Sequence, residues 1–368
     1  MRVGSPAVKQ SKTRSRPTIR EVAAAAKVSR GTVSRVLNGG HWVSPEALAR
    51  VNEAIRATGY SANAHARSLA TGRSNSVAFL LTEPQHLLFE DPTFSIVLRG
   101  AAEALAKREI PLLLMVAGSS EERRRIVDYL GAGHVDGVLV VSSHTGSPVI
   151  GSLLRKGVPM IACGAPLGFE QKVGYVTADE AGGARTMVRH LIERGGQRIA
   201  TITGPLDTPG GLKRLEGYRL ELGDQFEETL VAHGDYTREG GGRAMQELLN
   251  RRPDLDAVFV ASDLMAAGAL VTLAAAGRRV PDDVAVGGFD DSGLAATLQP
   301  PLTTMHQPLE RIAHEMVRLL LEIVEGQEIA AITLPTTLVQ RASTPPQRSP
   351  SGSRPNTTHA EASPASAR

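Results

Sequence analysis

A short stretch near the N-terminus has side chains of the types that bind DNA, spaced so that they share one face of a helix. In residues 18–40, TIREVAAAAKVSRGTVSRVLNGG, Thr18 and Ser29 are each placed to cap a helix, and apolar residues recur at helical spacing. The outward face of the second helix carries Arg30, Gly31, Ser34, Arg35 and Asn38. Arginine can donate two hydrogen bonds to guanine, and asparagine can bond in the same way to adenine. This pattern predicts a helix-turn-helix whose second helix enters the major groove.

A plain helical hairpin inside a bundle is the alternative interpretation, and the distribution of charge argues against it. The formal net charge is only +3, but residues 1–75 contain 13 Lys and Arg against three Glu, a charge of +10. The rest of the chain contains 28 basic and 35 acidic residues. A basic segment attracts a polyphosphate because each cation that binds a phosphate releases a counterion. We therefore expect the N-terminal part to bind DNA.

Composition divides the chain into five parts. Residues 1–17 are basic and rich in Ser, Thr and Pro, which predicts a disordered arm. Three short helices are predicted within residues 18–60. Residues 61–75 are small, polar and basic, and they form a linker with a short hinge helix that needs a partner to stay ordered. A body is predicted over residues 76–342, and the Ser/Thr/Pro-rich residues 343–368 form a disordered tail.

The body alternates short apolar strands with amphipathic helices. The predicted strands cover residues 77–81, 111–117, 136–142, 159–165, 198–204, 229–233, 257–262 and 284–289. This alternation is typical of parallel sheets covered by helices on both faces, an α/β architecture. Two groups of four strands predict two similar lobes. Because ligands bind at the carboxyl ends of such strands, two facing lobes predict a binding cleft.

Several classes of protein are disfavoured by what the sequence contains. Cys163 is the single cysteine, which excludes an internal disulfide and favours a reducing, cytoplasmic compartment, with the thiol packed in a core. We find no uninterrupted run of 18 apolar residues and no signal-peptide pattern, so neither a membrane partner nor secretion is expected. Phosphate-binding-loop, zinc-binding and nucleophile-elbow motifs are missing. We therefore expect no catalytic residues, no metal and no cofactor.

The segment VSRGTVSRVLNG, followed by VSPEALARVNEAIRATGYSANAHARSLATGRS, resembles the head and hinge of the lac-repressor/galactose-repressor family of bacterial transcription regulators. The resemblance extends over about residues 18–342. It implies an all-α helix-turn-helix head and a periplasmic-binding-protein-like sensor of two lobes with parallel sheets. It also implies which residues meet DNA, through bases, phosphates or the minor groove: Thr18, Ser29, Arg30, Gly31, Thr32, Ser34, Arg35, Asn38, Tyr60, Asn63 and Leu69.

Two positions in the head and hinge depart from the common pattern of the family, and Gly31 is a further unusual residue. Lys27 stands where many helix-turn-helix units have a turn glycine, and Ala62 replaces the usual hinge proline. If position 27 needs a left-handed backbone, lysine costs about 1–2 kcal/mol relative to glycine. Gly31 has no side chain with which to read a base, so we expect Arg30 and Arg35 to carry more of the sequence specificity.

In the sensor, the resemblance implies a set of effector-binding residues. Arg214 lies in GPLDTPGGLKRLEGY, Ser262 replaces a usual asparagine in VASDLMAAGAL, and Asp290 lies in GGFDDSG. An arginine fork suits sugar hydroxyls or a carboxylate. The full set is Thr82, Phe94, Asp179, Arg214, Tyr236, Ser262 and Asp290. Any acidic or aromatic member could instead be a helix cap or a core residue, the interpretation that we prefer for Asp263 and Asp291.

These features predict a homodimeric transcription regulator, most simply a repressor, that binds a near-palindromic operator in double-stranded DNA. A small molecule between the lobes is expected to change operator affinity, a sugar being favoured over a nucleobase or nucleoside. The sequence leaves open whether the effector releases or promotes DNA binding. A solute-binding protein and an enzyme of sugar metabolism are the alternatives, and the +10 head argues against the first.

Overall fold

The computed structural model describes residues 17–37, 42–60 and 73–346, and it divides into two compact units on either side of the bond between Ser74 and Asn75. The predicted arm and tail, the hinge over 61–72 and the site residues Asn38, Asn63 and Leu69 lie wholly or largely outside the described residues. In the part of the chain that is described, no helix is long and apolar enough to cross a membrane.

The first unit, which we call the head, contains three helices among its described residues: α1 (Ile19–Ala26), α2 (Arg30–Leu37) and α3 (Pro45–Thr58). Each begins at a polar residue. The carboxylate of Glu21 accepts hydrogen bonds from the backbone N–H and the hydroxyl of Thr18, while Ser29 Oγ accepts from Thr32 N at 3.1 Å. Ser44 caps α3 by accepting from Ala47 N at 3.3 Å, directly before the proline at its first position.

Lys27 ends α1 in the left-handed backbone conformation, with φ 52° and ψ 47°. The strain anticipated from the sequence at this position is therefore present. It is offset by packing, since the three helices bury a common core of Val22, Ala23, Ala26, Val33, Val51 and Ala54. This core places α2 across α1 and α3 with its polar face outward.

The second unit, which we call the body, contains two six-stranded sheets within the described residues. The first has the order β2-β1-β3-β4-β5-β11, from strands β1 (Val77–Leu81), β2 (Leu112–Val116), β3 (Gly137–Val141), β4 (Met160–Cys163), β5 (Gly174–Ala178) and β11 (Ala331–Leu334). The second has the order β7-β6-β8-β9-β10-β12, from β6 (Ile199–Thr203), β7 (Val231–His233), β8 (Ala257–Val260), β9 (Ala285–Asp290), β10 (Thr303–His306) and β12 (Thr337–Val339). Every pairing is parallel except that of β10 with the edge strand β12.

Helices cover both faces of each sheet, as expected for buried parallel strands. The first sheet is covered by α4 (Leu87–Glu90), α5 (Pro92–Ala106), α6 (Ser120–Gly131), α7 (Pro148–Arg155) and α12 (Leu309–Val324). The second is covered by α8 (Glu180–Glu193), α9 (Pro209–Leu222), α10 (Arg238–Arg251) and α11 (Asp263–Ala275). Short 3-10 turns lie at Gly223–Gln225, Glu228–Leu230 and Ala295–Thr297.

The chain passes between the two lobes three times. Lobe 1 consists of residues 75–178 and 309–334, and lobe 2 of residues 180–306 and 337–344. The crossings follow β5, β10 and β11, so that α12 packs in the core of lobe 1 although it follows lobe 2 in the sequence. The carboxyl ends of both sets of parallel strands consequently face one another across a cleft.

Two sequence predictions need correction here. Four strands were missed, β5, β10, β11 and β12, because they are short, partly polar or at a sheet edge and lack a continuous apolar run. The predicted start of the tail at Ser343 is too early. Ser343 and Thr344 are buried, and Ser343 bonds to the backbone of Val286 and Pro301. Serine and threonine residues that pack at a sheet edge cannot be told by composition from those of a disordered tail.

Close packing of α10 against α11 positions the loops on the lobe 2 side of the cleft, and it depends on glycine. A β-carbon at Gly268 would overlap the carbonyl oxygen of Arg238. We predict that Gly268→Ala lowers the free energy of unfolding by about 1–3 kcal/mol, measured by urea denaturation. Gly151→Ala in α7 is the control, because its β-carbon would meet its nearest neighbour at 3.5 Å. A loss in the control as large as that at Gly268 would contradict the packing argument.

Candidate functional site

Helix α2 of the head exposes the residues that were predicted to read DNA. Arg30, Gly31 and Arg35 are exposed, whereas Thr32 and Ser34 are half-buried beside the buried Val33. Ser29 Oγ also lies 2.9 Å from Thr32 Oγ1, so both hydroxyls help to start the helix. The arginines extend from the first and second turns, where a recognition helix presents its side chains to bases and phosphates.

Two other head residues differ from what the sequence suggested. Tyr60, expected beside the hinge, packs against the core of the head and is half-buried. Trp42 was not singled out, yet it is 95% exposed and has a φ of 77°, two residues before the cap of α3. An indole of this size is rarely left in water. Its position in the loop after the recognition helix, together with its aromatic type, could have marked it as a candidate DNA contact.

The cleft of the body is a cavity of about 220 Å³ that is open to solvent. A water molecule occupies about 30 Å³ of liquid, so the space is suited to a larger ligand. It is lined from lobe 1 by residues that include Glu83, Phe94, Ser143 and His144. Lobe 2 contributes Arg214, Tyr236, Ser262 and Asp290, which come from strand ends and from α9.

Of the seven predicted effector residues, five line this cavity and two do not. Phe94, Arg214, Tyr236, Ser262 and Asp290 line it. Thr82 instead donates a hydrogen bond to the carbonyl of Ser142, and Asp179 caps α8 by accepting from Gly182 N at 2.9 Å. In both cases the next residue, Glu83 or Glu180, faces the cavity. The sequence located the strand ends correctly, but only the backbone path shows which of two neighbouring side chains turns inward.

Arg214 lies at the centre of the lobe 2 wall in a buried cluster of charges. Its Nε donates to Glu180 Oε2 at 2.6 Å, and its Nη1 donates to Asp290 Oδ1 at 3.3 Å and to the carbonyl of Ala261. The guanidinium carbon stacks 3.9 Å from the centre of the Phe289 ring. Burial tends to lower the pKa of Arg214, but Glu180 and Asp290 outweigh it and raise the pKa. The guanidinium therefore remains charged and is already paired with two carboxylates.

Asp290 is held by several donors and in an unusual backbone conformation. Gln307 Nε2 donates to Asp290 Oδ1 at 2.7 Å. Burial raises the pKa of Asp290, while Arg214 opposes that shift. Positive φ angles occur at Asp290 (120°), Ser142 (59°) and Tyr236 (64°), all of which line the cleft. Each such conformation costs about 1–3 kcal/mol and persists only where surrounding contacts impose it, which is common at binding sites.

Asp263 and Asp291 support the structure, but Ser262 rather than Asp263 caps α11, and Asp291 caps none of the described helices. Asp263 is buried and accepts hydrogen bonds from Thr304 Oγ1 at 2.6 Å and from Asp291 N at 2.7 Å. Burial raises the pKa of Asp263 to about 7. Asp291 pairs with Arg341 at 2.6 Å. Neither lines the cleft, and both brace the loop that carries Asp290.

The lobe 1 wall contains polar residues that the sequence analysis missed. Ser142 Oγ donates to Glu83, and His144 bonds to Glu83 at 2.8 Å. The hydroxyl of Ser143 is buried and has no hydrogen-bond partner among the described residues, although Ser143 lines the cavity. A buried hydroxyl without a partner is costly, so this atom is suited to bond with a ligand. The position of Ser143 and His144 directly after the predicted strand 136–142 was the available signal.

Cys163 lines the cleft rather than lying wholly within a core. Burial, together with the nearby Glu180, raises its pKa to about 12. The thiol is therefore neutral and contributes a small apolar surface to the wall.

Comparison with known proteins identifies the origin of this arrangement. The family description "Bacterial regulatory proteins, lacI family" matches residues 18–63, and "Periplasmic binding protein-like domain" matches residues 188–344. The chain is 46% identical over 336 residues to the HTH-type transcriptional regulator CelR of Thermobifida fusca, covering 90% of this chain and 99% of that protein. The chain belongs to the LacI family. The resemblance and the fold class inferred from the sequence are thereby confirmed.

Further relatives support the same assignment for this LacI-family protein. The ribose operon repressor of Escherichia coli K12 is 34% identical over 334 residues, covering 88% of this chain and 96% of that protein. The solved CelR–cellobiose complex has a TM-score of 0.72 at 44% identity and covers 89% of this chain and all of that one. A lac repressor dimer bound to operator and the anti-inducer ONPF has a TM-score of 0.78 at 26% identity, with 90% and 99% covered. The protein is a DNA-binding transcription regulator controlled by a small molecule.

The exposed face of α2 leads to a first prediction about this site. Arg35→Ala should weaken binding to an operator selected from random DNA by about 10- to 100-fold, because a base- or phosphate-bonding arginine contributes about 1–3 kcal/mol. Fluorescence anisotropy of the labelled operator measures the change. Arg56→Ala removes the same charge from the exposed face of α3 and serves as the control. Equal affinities for the two variants would contradict the assignment of α2 as the recognition helix.

The buried cluster leads to a second prediction. Arg214→Gln should lower the free energy of unfolding of the body by about 3–5 kcal/mol, because it leaves Glu180 and Asp290 buried without their cation. Urea denaturation measures this loss. Arg189→Gln is the control, because Arg189 pairs with Glu221 at 2.7 Å but is half exposed, so its loss should cost far less than the loss of Arg214. Similar small losses in both variants would show that the cluster does not support the lobe.

Proposed function

We propose that this LacI-family protein is a repressor whose effector is an uncharged sugar, specifically a β-linked glucose disaccharide such as cellobiose, bound in the cleft between the lobes. The observation that carries the proposal is the pairing of Arg214 with Glu180 and Asp290. An arginine that already faces two carboxylates has little positive charge to offer to a phosphate or carboxylate ligand. The cleft therefore favours neutral hydroxyl groups over an anionic effector.

The remaining lining of the cleft is consistent with a sugar. Glu83 and Asp290 offer carboxylate acceptors to hydroxyl hydrogens, and Ser143 offers a hydroxyl that lacks a partner in the part of the chain that the structure describes. Phe94 and Tyr236 provide aromatic surface for the C–H faces of a pyranose ring. A relative with 44% sequence identity has been solved with cellobiose, which is the reason for naming that disaccharide.

The proposed direction of control is that the sugar weakens operator binding. Relatives named as repressors include the ribose operon repressor. A repressor of genes for using a sugar is relieved when that sugar lowers operator affinity, and we propose this sign here. Binding between the lobes would change their relative angle, a two-state coupling of about 1–3 kcal/mol.

The assembly and the setting follow from DNA recognition. We propose a homodimer on a near-palindromic operator, because two-fold symmetry in the protein is matched by two-fold symmetry in the DNA. The solved lac repressor is a dimer on its operator. A protein that acts on bacterial DNA works in the cytoplasm. We propose no catalytic step, so cellobiose that is incubated with the protein should be recovered intact.

The decisive experiment titrates sugars against the operator complex. Millimolar cellobiose should reduce the anisotropy of labelled operator bound by the full chain, whereas glucose 6-phosphate and adenosine should not. Ser143→Ala should weaken the response to cellobiose by about 3- to 10-fold through loss of one hydrogen bond, with operator affinity unchanged.

Ser147→Ala is the matched control for that titration. The hydroxyl of Ser147 is also buried without a hydrogen-bond partner in residues 17–37, 42–60 and 73–346, but Ser147 precedes α7 and does not line the cavity. The response of the Ser147→Ala variant to cellobiose should equal that of the wild type. Release of the operator by glucose 6-phosphate or adenosine in place of cellobiose would refute the neutral-sugar assignment.

A further inference from the structure

One histidine at the cleft bonds to a carboxylate from each of the two lobes. His144 Nε2 lies 2.8 Å from Glu83 Oε1 in lobe 1, and His144 Nδ1 lies 2.9 Å from Asp207 Oδ2 in lobe 2. Beside them, the backbone N–H of Thr145 donates to the carbonyl oxygen of Asp207 at 2.7 Å. Together these contacts tie the loop after β3 to the loop after β6.

These contacts lie at positions in the two sheets from which they can resist opening of the cleft. The three crossings between the lobes follow β5, β10 and β11. His144 follows β3, which is two strands from β5, and Asp207 follows β6, which is three strands from β10. With about 4.8 Å between neighbouring strands, the contacts lie about 10–14 Å from the crossings. A bond at that distance from the crossings resists rotation of one lobe against the other far more than a bond beside the crossings would.

The hydrogen bonds also define the charge on the histidine. Both ring nitrogens face a carboxylate, and only the imidazolium form can donate from both. The hydrogen bond with Glu83 contributes most to raising the pKa of His144 to about 9; burial opposes the shift, and Asp207 adds to it. Glu83, from the end of β1, and Asp207, from the loop after β6, are the charged groups that face the ring among the described residues. At neutral pH the bridge is therefore a cation between two anions.

We propose that His144 is a positioning residue, the centre of a charged latch that holds the lobes closed and so sets the affinity of the cleft for its effector. Glu83 and His144 both line the cavity, so closure of the latch and occupation of the cleft are coupled. The part of the proposal that concerns effector affinity rests on the proposed function. The part that concerns closure does not, and it can be tested without any ligand.

The Thr145 amide is a built-in reporter of the latch. Its acceptor is the backbone carbonyl of Asp207, which survives any side-chain substitution. In hydrogen exchange on the full-length protein without sugar, His144→Gln and Asp207→Asn should each lower the protection of Thr145 by about tenfold, the effect of losing a charge-assisted hydrogen bond. The Ala261 amide, which bonds to Ile202 inside lobe 2 at 2.9 Å, should keep its protection.

His306→Gln is the control variant, because His306 bonds to Asp291 at 3.2 Å within a single lobe. It should leave the protection of Thr145 unchanged. Unchanged protection of Thr145 in both latch variants would overturn the proposal. Equal loss at Ala261 would also overturn it, because the lobe itself would then be unfolding.

The pH dependence gives a readout that packing alone would not produce. The folded pKa of His144 is raised, so its stabilising contribution is complete below about pH 6.5 and is lost as the pH rises through about 9. After correction for the intrinsic exchange rate, the protection of Thr145 in the wild type should fall over that interval, and in His144→Gln it should stay level. A wild-type profile as flat as that of the variant would overturn the proposal.

Calorimetric titration with cellobiose at neutral pH separates this proposal from the function on which it rests. Weaker binding to His144→Gln than to the wild type, by about tenfold, is expected if the latch sets affinity. Equal affinities would overturn that part of the proposal. If the wild type binds no cellobiose but Thr145 behaves as described, the sugar assignment fails while the closure latch is supported.

Discussion

Arg214 carries a charge that is buried among the strand ends of lobe 2, and the surrounding residues must compensate for it. An uncompensated guanidinium in an apolar interior would cost several kcal/mol, so its partners cannot move independently. These four residues come from three separate places: Glu180 at the start of α8, Ala261 after β8, and Phe289 and Asp290 on β9. Because one side chain holds all four, the lobe 2 wall of the cleft is rigid. The polar atoms left for an effector are consequently fixed in place and largely without net positive charge.

The lobe 1 wall is built differently, and the difference suits a protein that must move. Its polar groups meet lobe 2 through the bridge from His144 to Asp207, while the covalent crossings lie near the other end of the sheets. The beginning of the body is fastened to lobe 1, since Asn75 N donates to Asp136 and Ser76 Oγ to the carbonyl of His134. The body therefore begins in lobe 1.

Prediction from sequence succeeded where a feature is local. The capped helices of the head follow from Ser29, Ser44 and their neighbours, and the eight apolar runs of the body lie on eight strands of the two sheets. The prediction of effector-binding residues was wrong by one position at Thr82 and Asp179, because the following residues, Glu83 and Glu180, face the cavity. A side chain's direction at a strand end depends on how the following loop turns, and that turn is set by contacts with distant segments.

The sequence by itself determined the helix-turn-helix head and the alternation of strands and helices, because caps and apolar periodicity act within a few residues. Only the tertiary structure decided how the cleft is assembled. His144 and Asp207 are 63 residues apart and Arg214 and Asp290 are 76 apart, and neither pair has a local signal. The packing of α12 in lobe 1 cannot be predicted from the sequence either, since its apolar stripe is compatible with either lobe. Such pairings arise from global burial of apolar faces and compensation of charge, which no window of sequence contains.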